Sequence, residues 1–176
     1  MSGSSQKPMA NSQQPIAKGA SHSYHDPRYN GCSPETKLAC PYFVPLEIVN
    51  DGSWLHPARL PLGAGWTGNC CASEKHVAAS ETHTREFCNL GYATDCPHLP
   101  AHRDWDAIRF SVDRTSRTQL TICFVCELGH APIAHGKLTF DLASEAWLNA
   151  HPDARVLRLA TCFVQAHRAR QPALCA

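Results

Sequence analysis

Residues 107–142 read AIRFSVDRTSRTQLTICFVCELGHAPIAHGKLTFDL. Three apolar segments separated by polar or turn-rich residues lie within this stretch: 107–113, 119–128 and 136–142. In the first segment apolar and polar residues alternate, which is the two-residue period of a strand with one buried face. The stretch therefore predicts three strands of an antiparallel meander.

Two helices are expected after the meander. The segment LASEAWLNA (142–150) predicts a short helix that ends before Pro152, because a residue that precedes proline disfavours helical backbone. Pro152 fits the first turn of a longer helix that runs to Arg170. Apolar residues recur along this helix at a spacing that predicts one buried face: Val156, Leu159, Phe163 and Ala166.

The chain before the meander has a different composition. Residues 1–27 are rich in Ser, Gln, Ala, Pro and Lys, which predicts a disordered tail. Residues 28–103 hold six cysteines and many Pro and Gly, which indicates a loop-rich half stabilised by disulfides or a metal. We therefore expect an α+β protein with one domain, 28–176, in which this half packs on an α+β core, 104–176.

Overall charge argues against a nucleic-acid-binding protein. The 176 residues include 16 Lys and Arg against 15 Asp and Glu, a formal net charge of +1. A protein that binds the phosphate backbone normally carries a strong basic excess. Nucleic acid is therefore not the expected partner.

The ten cysteines raise the question of the compartment. The N-terminal sequence MSGSSQKPMANSQQPIAKGA lacks the apolar region of a secretory signal. The longest apolar run, around LTICFVCELG, is too short to span a bilayer. We expect a protein of the reducing cytoplasm without a membrane span, where metal ligation explains at least four cysteines better than disulfides do.

Two segments share the spacing C-x7-C-P. Cys32 and Cys40 form the first pair, Cys88 and Cys96 the second, and in each pair the second cysteine precedes a proline. Proline fixes φ and removes an amide hydrogen, so the chain turns away from the sulfur. Cys-Pro also ends the ligand runs of bacterial ferredoxins, which this chain resembles in that dipeptide alone. The repeat predicts that these four cysteines ligate a metal centre.

Four thiolates suit either a [4Fe–4S] cluster or a tetrahedral Zn²⁺. Structural zinc sites commonly take their ligands from tight C-x2-4-C turns, and neither pair is that tight. A cluster is larger and can be served from longer loops. The sequence therefore favours an iron–sulfur protein that acts in electron transfer within a larger complex or in redox sensing. The alternative is a zinc-stabilised module that binds protein or nucleic acid.

Three further residues are secondary candidates for ligands. Cys70 and Cys71 are adjacent, and either could replace a member of the quartet or supply a fifth ligand. We expect one of the two to face the site and the other the core. His98 follows Cys96-Pro97 and is the best-placed histidine.

Two other motifs in the sequence do not indicate a binding site. The segment GAGWTG matches G-x-G-x-x-G, but it is followed by no helical periodicity, which a dinucleotide site requires. Cys123 and Cys126 lie within an expected strand and three residues apart, so they should face opposite sides and be structural.

No catalytic motif of the G-x-S-x-G, H-E-x-x-H or P-loop type is present. The sequence therefore favours an electron carrier or accessory subunit with a protein partner over a stand-alone catalyst.

Overall fold

The described residues form a mixed α+β fold. A computed structural model describes three ranges of the chain: 39–72, 76–90 and 95–171. All three belong to one structural unit, Glu35–Ala176. The expected tail (1–27) and Cys32 lie outside the described residues, so the tail and the domain boundary at residue 28 stay predictions.

A first antiparallel sheet lies in the part of the chain that was expected to be loop-rich. Its strands, in the spatial order β1-β2-β3, are β1 (Phe43–Val49), β2 (Gly65–Cys70) and β3 (Val77–Ala78). The connection between the first two strands contains one 3₁₀ turn, Pro57–Arg59. The sequence predicted a loop-rich half but not this sheet, because the short apolar run before residue 50 pairs with a glycine-rich segment that sequence periodicity does not mark as a strand.

Glycine is required in β2 by close packing. A Cβ atom at Gly68 would overlap the Val44 carbonyl oxygen and the Phe43 ring, and one at Gly65 would overlap the Trp54 indole. The G-x-G-x-x-G segment thus continues into a strand rather than the helix that a dinucleotide fold places there.

A short helical segment follows the first sheet. Helix α1 (Glu81–His83) begins at Ser80, whose hydroxyl oxygen accepts a hydrogen bond from the His83 amide at 3.2 Å. The chain then continues as a π-helical turn, Thr84–Cys88.

The second sheet is the predicted antiparallel meander, with one short strand added. Its strands lie in sequence order: β4 (Ala107–Thr115), β5 (Gln119–Leu128), β6 (Ala131–Asp141) and β7 (Ala146–Trp147). The expected connection GHAPIAH is shorter than predicted, because Gly129 and His130 both adopt positive φ, 56° and 65°, and form a two-residue hairpin turn. Cys126 is buried and Cys123 is half-buried, and they lie on opposite faces of β5, as predicted.

The helix expected at 142–150 is wrong. The Asp141 carboxylate accepts hydrogen bonds from the amides of Ala143 and Ser144, at 3.1 and 2.7 Å. An Asp side chain that captures amides two and three residues ahead stabilises a turn at the expense of a helix. The chain then reverses and pairs as β7 with the end of β6.

The long C-terminal helix is confirmed as α2 (Ala154–Arg170). Asp153 caps its N-terminus by accepting from the Arg155 amide at 2.8 Å, so Pro152 lies just before the helix rather than in its first turn. The predicted apolar face is buried, and the helix packs against β1 and β4. No helix in the described ranges is long and apolar enough to cross a membrane.

Besides the packing of α2 on β1, two contacts tie the chain just before the first sheet to the rest of the core. Ala39 and Ile108 exchange backbone hydrogen bonds in both directions, with N···O distances of 2.6 and 3.0 Å. Near the start of α2, the Arg155 guanidinium lies 4.9 Å from the ring centre of Trp105 and 5.7 Å from that of Tyr42.

Truncation of the helix core should destabilise the protein. Leu159 is 1% exposed on the buried face of α2. We expect Leu159→Ala to lower the free energy of unfolding by about 2–5 kcal/mol, because it removes buried apolar volume and leaves a cavity. Urea unfolding followed by circular dichroism measures this. The matched control on the solvent side of the same helix, Gln165→Ala, should change the value by less than about 0.5 kcal/mol; equal effects of the two substitutions would contradict the assigned helix face.

Alkaline pH should weaken the fold through Cys162. Burial raises the pKa of this thiol from 9.0 to about 11. The protonated thiol therefore contributes stability fully below about pH 9, and the contribution is lost as the pH rises through the folded-state value. Urea unfolding of the reduced protein at pH 8 and pH 10.5 should show a smaller loss in Cys162→Ala than in the unaltered protein. Equal losses in both proteins would show that Cys162 does not titrate as expected.

Candidate metal centre

Four cysteines line one small pocket beside the first sheet. They are Cys40, Cys70, Cys88 and Cys96, and the remaining wall is formed by seven residues: Tyr42, Phe43, Ala72, His83, Phe87, His98 and Leu99. Three of the four cysteines are members of the quartet predicted from the C-x7-C-P repeat. Cys70, a secondary candidate in the sequence, lies with them, while Cys32 is outside the described residues.

Antiparallel pairing brings Cys40 and Cys70 together. Phe43, the first residue of β1, pairs with Cys70, the last residue of β2. Cys40 precedes Phe43 in a tight turn, in which the Phe43 amide donates to the Cys40 carbonyl oxygen at 3.2 Å. Two cysteines separated by 29 residues in the sequence therefore lie at the same end of the sheet.

Both Cys-Pro dipeptides open the same kind of reverse turn. The amide of Leu99 donates to the Cys96 carbonyl oxygen at 3.1 Å, which matches the Phe43-to-Cys40 bond. In each case proline occupies the second position of the turn, where its fixed φ is favourable. The Cys-Pro dipeptide of the repeat therefore forms a reverse turn that directs the chain away immediately after the cysteine.

Asn89 anchors the turn that carries Cys88. Asn89 is 4% exposed, and its side-chain oxygen accepts from the Trp66 amide at 3.0 Å while its side-chain nitrogen donates to the Trp66 carbonyl oxygen at 2.9 Å. The same nitrogen donates to the Thr84 carbonyl oxygen at 3.2 Å. The Asn89 side chain thus acts as a short extension of the sheet next to β2, and it fixes Cys88 relative to Cys70.

The adjacent cysteines Cys70 and Cys71 point to different surroundings. The Cys71 sulfur donates to the Tyr42 carbonyl oxygen at 3.2 Å, and its amide donates to the same oxygen at 2.8 Å. Cys71 is not among the described residues that line the pocket, whereas Cys70 is. The alternation of side chains at the end of a strand accounts for this difference.

A histidine contacts one of the thiols. His83 Nε2 lies 3.2 Å from the Cys96 sulfur, at hydrogen-bonding distance. The His83 ring also contacts those of His98 and Phe87, with centroid distances of 4.6 and 4.8 Å. Burial and the charge of His98 lower the pKa of His83, which favours its neutral form. His98, the histidine singled out by the sequence, lines the pocket and contacts His83.

Burial keeps the thiols of Cys40 and Cys88 protonated as long as no cation is present. Burial, together with the neighbouring sulfurs of Cys70 and Cys96, raises the pKa of Cys40 to about 12. The pKa of Cys88 is raised strongly for the same reasons. Thiolates are the metal-binding form, so a bound cation would have to supply the charge that offsets this burial.

The chemistry of the donor set fits a thiophilic metal, but the free pocket is small. Its volume is about 10 Å³, the space of roughly one water molecule. Within the described ranges, no three His, Cys, Asp or Glu side chains already have an arrangement that could hold one metal ion. A zinc site with bonds of about 2.3 Å would place its sulfurs about 3.8 Å apart, and a cluster would place them farther apart. Binding of either centre would therefore need the ligand side chains to rearrange.

Comparisons of the chain with models of protein families, with curated proteins and with solved structures find no match.

Two residues of the site carry no signal that is visible in the sequence. His83 is one of eleven histidines, and only the helical spacing of His83 and Phe87 hints that they share a face. Asn89 gains its role from a contact with Trp66, 23 residues away. Cys70 joins the other three cysteines because the segment GWTGNC is a strand that pairs with β1, and this pairing leaves no periodic pattern in the sequence.

Loss of the Asn89 side chain should loosen the Cys88 turn. We expect Asn89→Ala to lower the free energy of unfolding by about 1–3 kcal/mol, because buried polar groups of Trp66 lose their partner. Native-state alkylation of Cys88, followed by mass spectrometry, should become faster. Leu90→Ala is the control, since Leu90 is 47% exposed and next in the chain. An Asn89 variant as stable as the control would show that the side-chain bridge contributes nothing.

Proposed function

We propose that the protein binds one [4Fe–4S] cluster through the thiolates of Cys40, Cys70, Cys88 and Cys96, and that it acts in electron transfer or redox sensing. One observation carries the proposal. Four cysteines from separate parts of the chain line a single pocket, and fixed backbone hydrogen bonds support the positions of three of them. Four convergent thiols are a complete ligand set for such a cluster.

The spacing of the ligands favours a cluster over zinc. The four cysteines are separated by 29, 17 and 7 residues, and none forms a tight C-x2-4-C turn of the kind common in structural zinc sites. Phe43 and Phe87 contribute apolar wall to the pocket. Shielding from water is one of the factors that set the reduction potential of a cluster.

His83 is placed where it could adjust the reduction potential of such a centre. A hydrogen bond from a neutral imidazole N–H to a ligand sulfur withdraws charge from it, and such bonds raise reduction potentials. The 3.2 Å contact with Cys96 supports this role. When bound, the cluster would supply one-electron redox chemistry.

The proposed setting is the reducing cytoplasm, and the proposed partner is a protein that donates or accepts electrons. The pocket lies near the surface, because His98 in its wall is exposed. Short distance to the surface supports transfer to a docked protein. Nucleic acid is not proposed as a partner, given the net charge of +1.

A zinc-stabilised interaction module is the second candidate. The small free volume of about 10 Å³ favours it, since a single ion needs less space than a cluster. The same four thiolates would hold the ion, and the protein would then have a structural role without redox chemistry.

Metal analysis separates the two candidates. We expect protein purified without oxygen to contain close to four iron and four acid-labile sulfide per chain, as the cluster formula requires. Ser substitution at any one of Cys40, Cys70, Cys88 or Cys96 should reduce both contents severely, because a thiolate ligand is lost. About one zinc without iron would support the interaction module, and neither metal would reject both candidates.

Two matched controls test the ligand set. Cys71→Ser and Cys123→Ser should leave the iron and sulfide contents unchanged, since neither residue lines the pocket among the described residues.

The variant Cys32→Ser tests whether Cys32 or Cys70 is the fourth ligand. Loss of iron in Cys32→Ser together with full iron in Cys70→Ser would restore the quartet predicted from the C-x7-C-P repeat.

A further inference from the structure

The four cysteines of the pocket are not equally buried. Cys40, Cys88 and Cys96 are 7%, 6% and 9% exposed, whereas Cys70 is half-buried. Electron transfer between proteins slows steeply with distance, so a donor or acceptor protein has to approach the centre closely. The most accessible of the four proposed ligands therefore marks the side from which a partner can reach the centre.

Strand pairing places an exposed apolar residue beside Cys70. Cys70 pairs with Phe43 of β1 on one side and with Val77 of β3 on the other. Directly paired residues of antiparallel strands point to the same face of a sheet. This row of three side chains runs outward from the core, because Phe43 is 2% exposed, Cys70 is half-buried and Val77 is 54% exposed. The Cys70 side of the pocket thus borders the surface at β3, which is an edge strand among the described residues.

Two exposed carboxylates lie beside the pocket. Asp95 immediately precedes Cys96, and Glu86 belongs to the π-helical turn. The Glu86 carboxylate is near enough to His83 to act on its pKa, against the larger effect of burial. Among the described residues, the pocket wall itself contains no Lys or Arg.

The arginines nearest to this end of the sheet belong to its other side. Burial raises the pKa of Cys71, and the guanidinium groups of Arg155 and Arg158 act against that rise. Cys71 is bonded to the Tyr42 carbonyl oxygen and does not line the pocket. Four thiolates would also outweigh the positive charge of a [4Fe–4S] core. The pocket side is therefore the acidic side, and it complements a basic partner.

We propose that the surface around Val77 and His98 is the docking site of a basic redox protein, in which Lys and Arg surround the electron-transfer group, and that Glu86 and Asp95 steer its approach. This inference rests on the proposed function, because it names the partner of the same centre. Weak redox complexes bury less than about 1,200 Å² in total, an area wide enough to include residues on both sides of so small a pocket.

Cytochrome c, a small basic haem protein, is the probe. Titration calorimetry with protein purified without oxygen should show binding at low ionic strength. Raising the ionic strength from about 0.01 to about 0.15 M shortens the Debye length from about 30 to about 8 Å and should weaken binding about tenfold. After reduction with dithionite, the protein should lose one electron to the ferric haem iron, and the haem absorbance should report a rate that falls with salt in the same way.

Variants of exposed residues locate the surface without threatening the fold. Val77→Ser removes the apolar contact and should weaken binding about threefold. The double variant Glu86→Gln, Asp95→Asn removes both carboxylates and should weaken binding about fivefold at low ionic strength, the value of a few exposed ion pairs.

Glu145→Gln is the matched control, because it removes an exposed carboxylate far from the pocket. Glu145 pairs with Arg168 in the last turn of α2. That turn lies about 20 Å along the helix from Arg155, which contacts the pocket-wall residue Tyr42. The control should bind cytochrome c as tightly as the unaltered protein.

Iron and acid-labile sulfide are measured in each preparation, so that the two proposals fail in different ways. Protein with a full cluster that does not bind cytochrome c, binds it without salt dependence, or binds it equally well in the control and the double variant would overturn the docking surface alone. Protein that holds no cluster would overturn the proposed function and this inference with it.

Discussion

The exchange of backbone hydrogen bonds between Ala39 and Ile108 is the constraint on which the position of the candidate site depends. Both residues are buried, at 1% and 0% exposure, so their amides and carbonyls need protein partners. Each satisfies the other. Because Cys40 is the next residue, this bridge fixes the first cysteine against the meander core. The register of β1 with β2 then fixes the position of Cys70 relative to Cys40.

The elements that the sequence predicted correctly are those with local periodicity. The three long strands of the meander and the buried face of α2 follow from spacing within each segment. The helix expected at 142–150 failed because the Asp141 side chain competes for the amides that would begin it. The first sheet was missed because its two glycines make room for Phe43 and Trp54, and such a contact leaves no period in the sequence.

The same distinction applies to the candidate site. The repeat C-x7-C-P identified Cys40, Cys88 and Cys96, and its proline has a local effect, the reverse turn, that sequence reasoning can anticipate. The position of Cys70 depends on pairing with a strand more than twenty residues away, which no local pattern records. His83 and Asn89 likewise acquire their contacts through tertiary structure. Cys32 lies outside the described residues and stays a predicted ligand.

The turn Thr84–Cys88 has a cavity on each of its faces. Its backbone is held at both ends, by Ser80 through the bonds that Thr84 makes to its carbonyl oxygen and by Asn89 through Trp66. Trp66 therefore provides the backbone groups that hold the Cys88 side of the turn. We expect a displacement of the Trp66 backbone to reach Cys88, because the Asn89 side chain bonds both backbone groups of Trp66. A π-helical turn, which is rare and occurs often at functional sites, is the kind of element expected at such a junction.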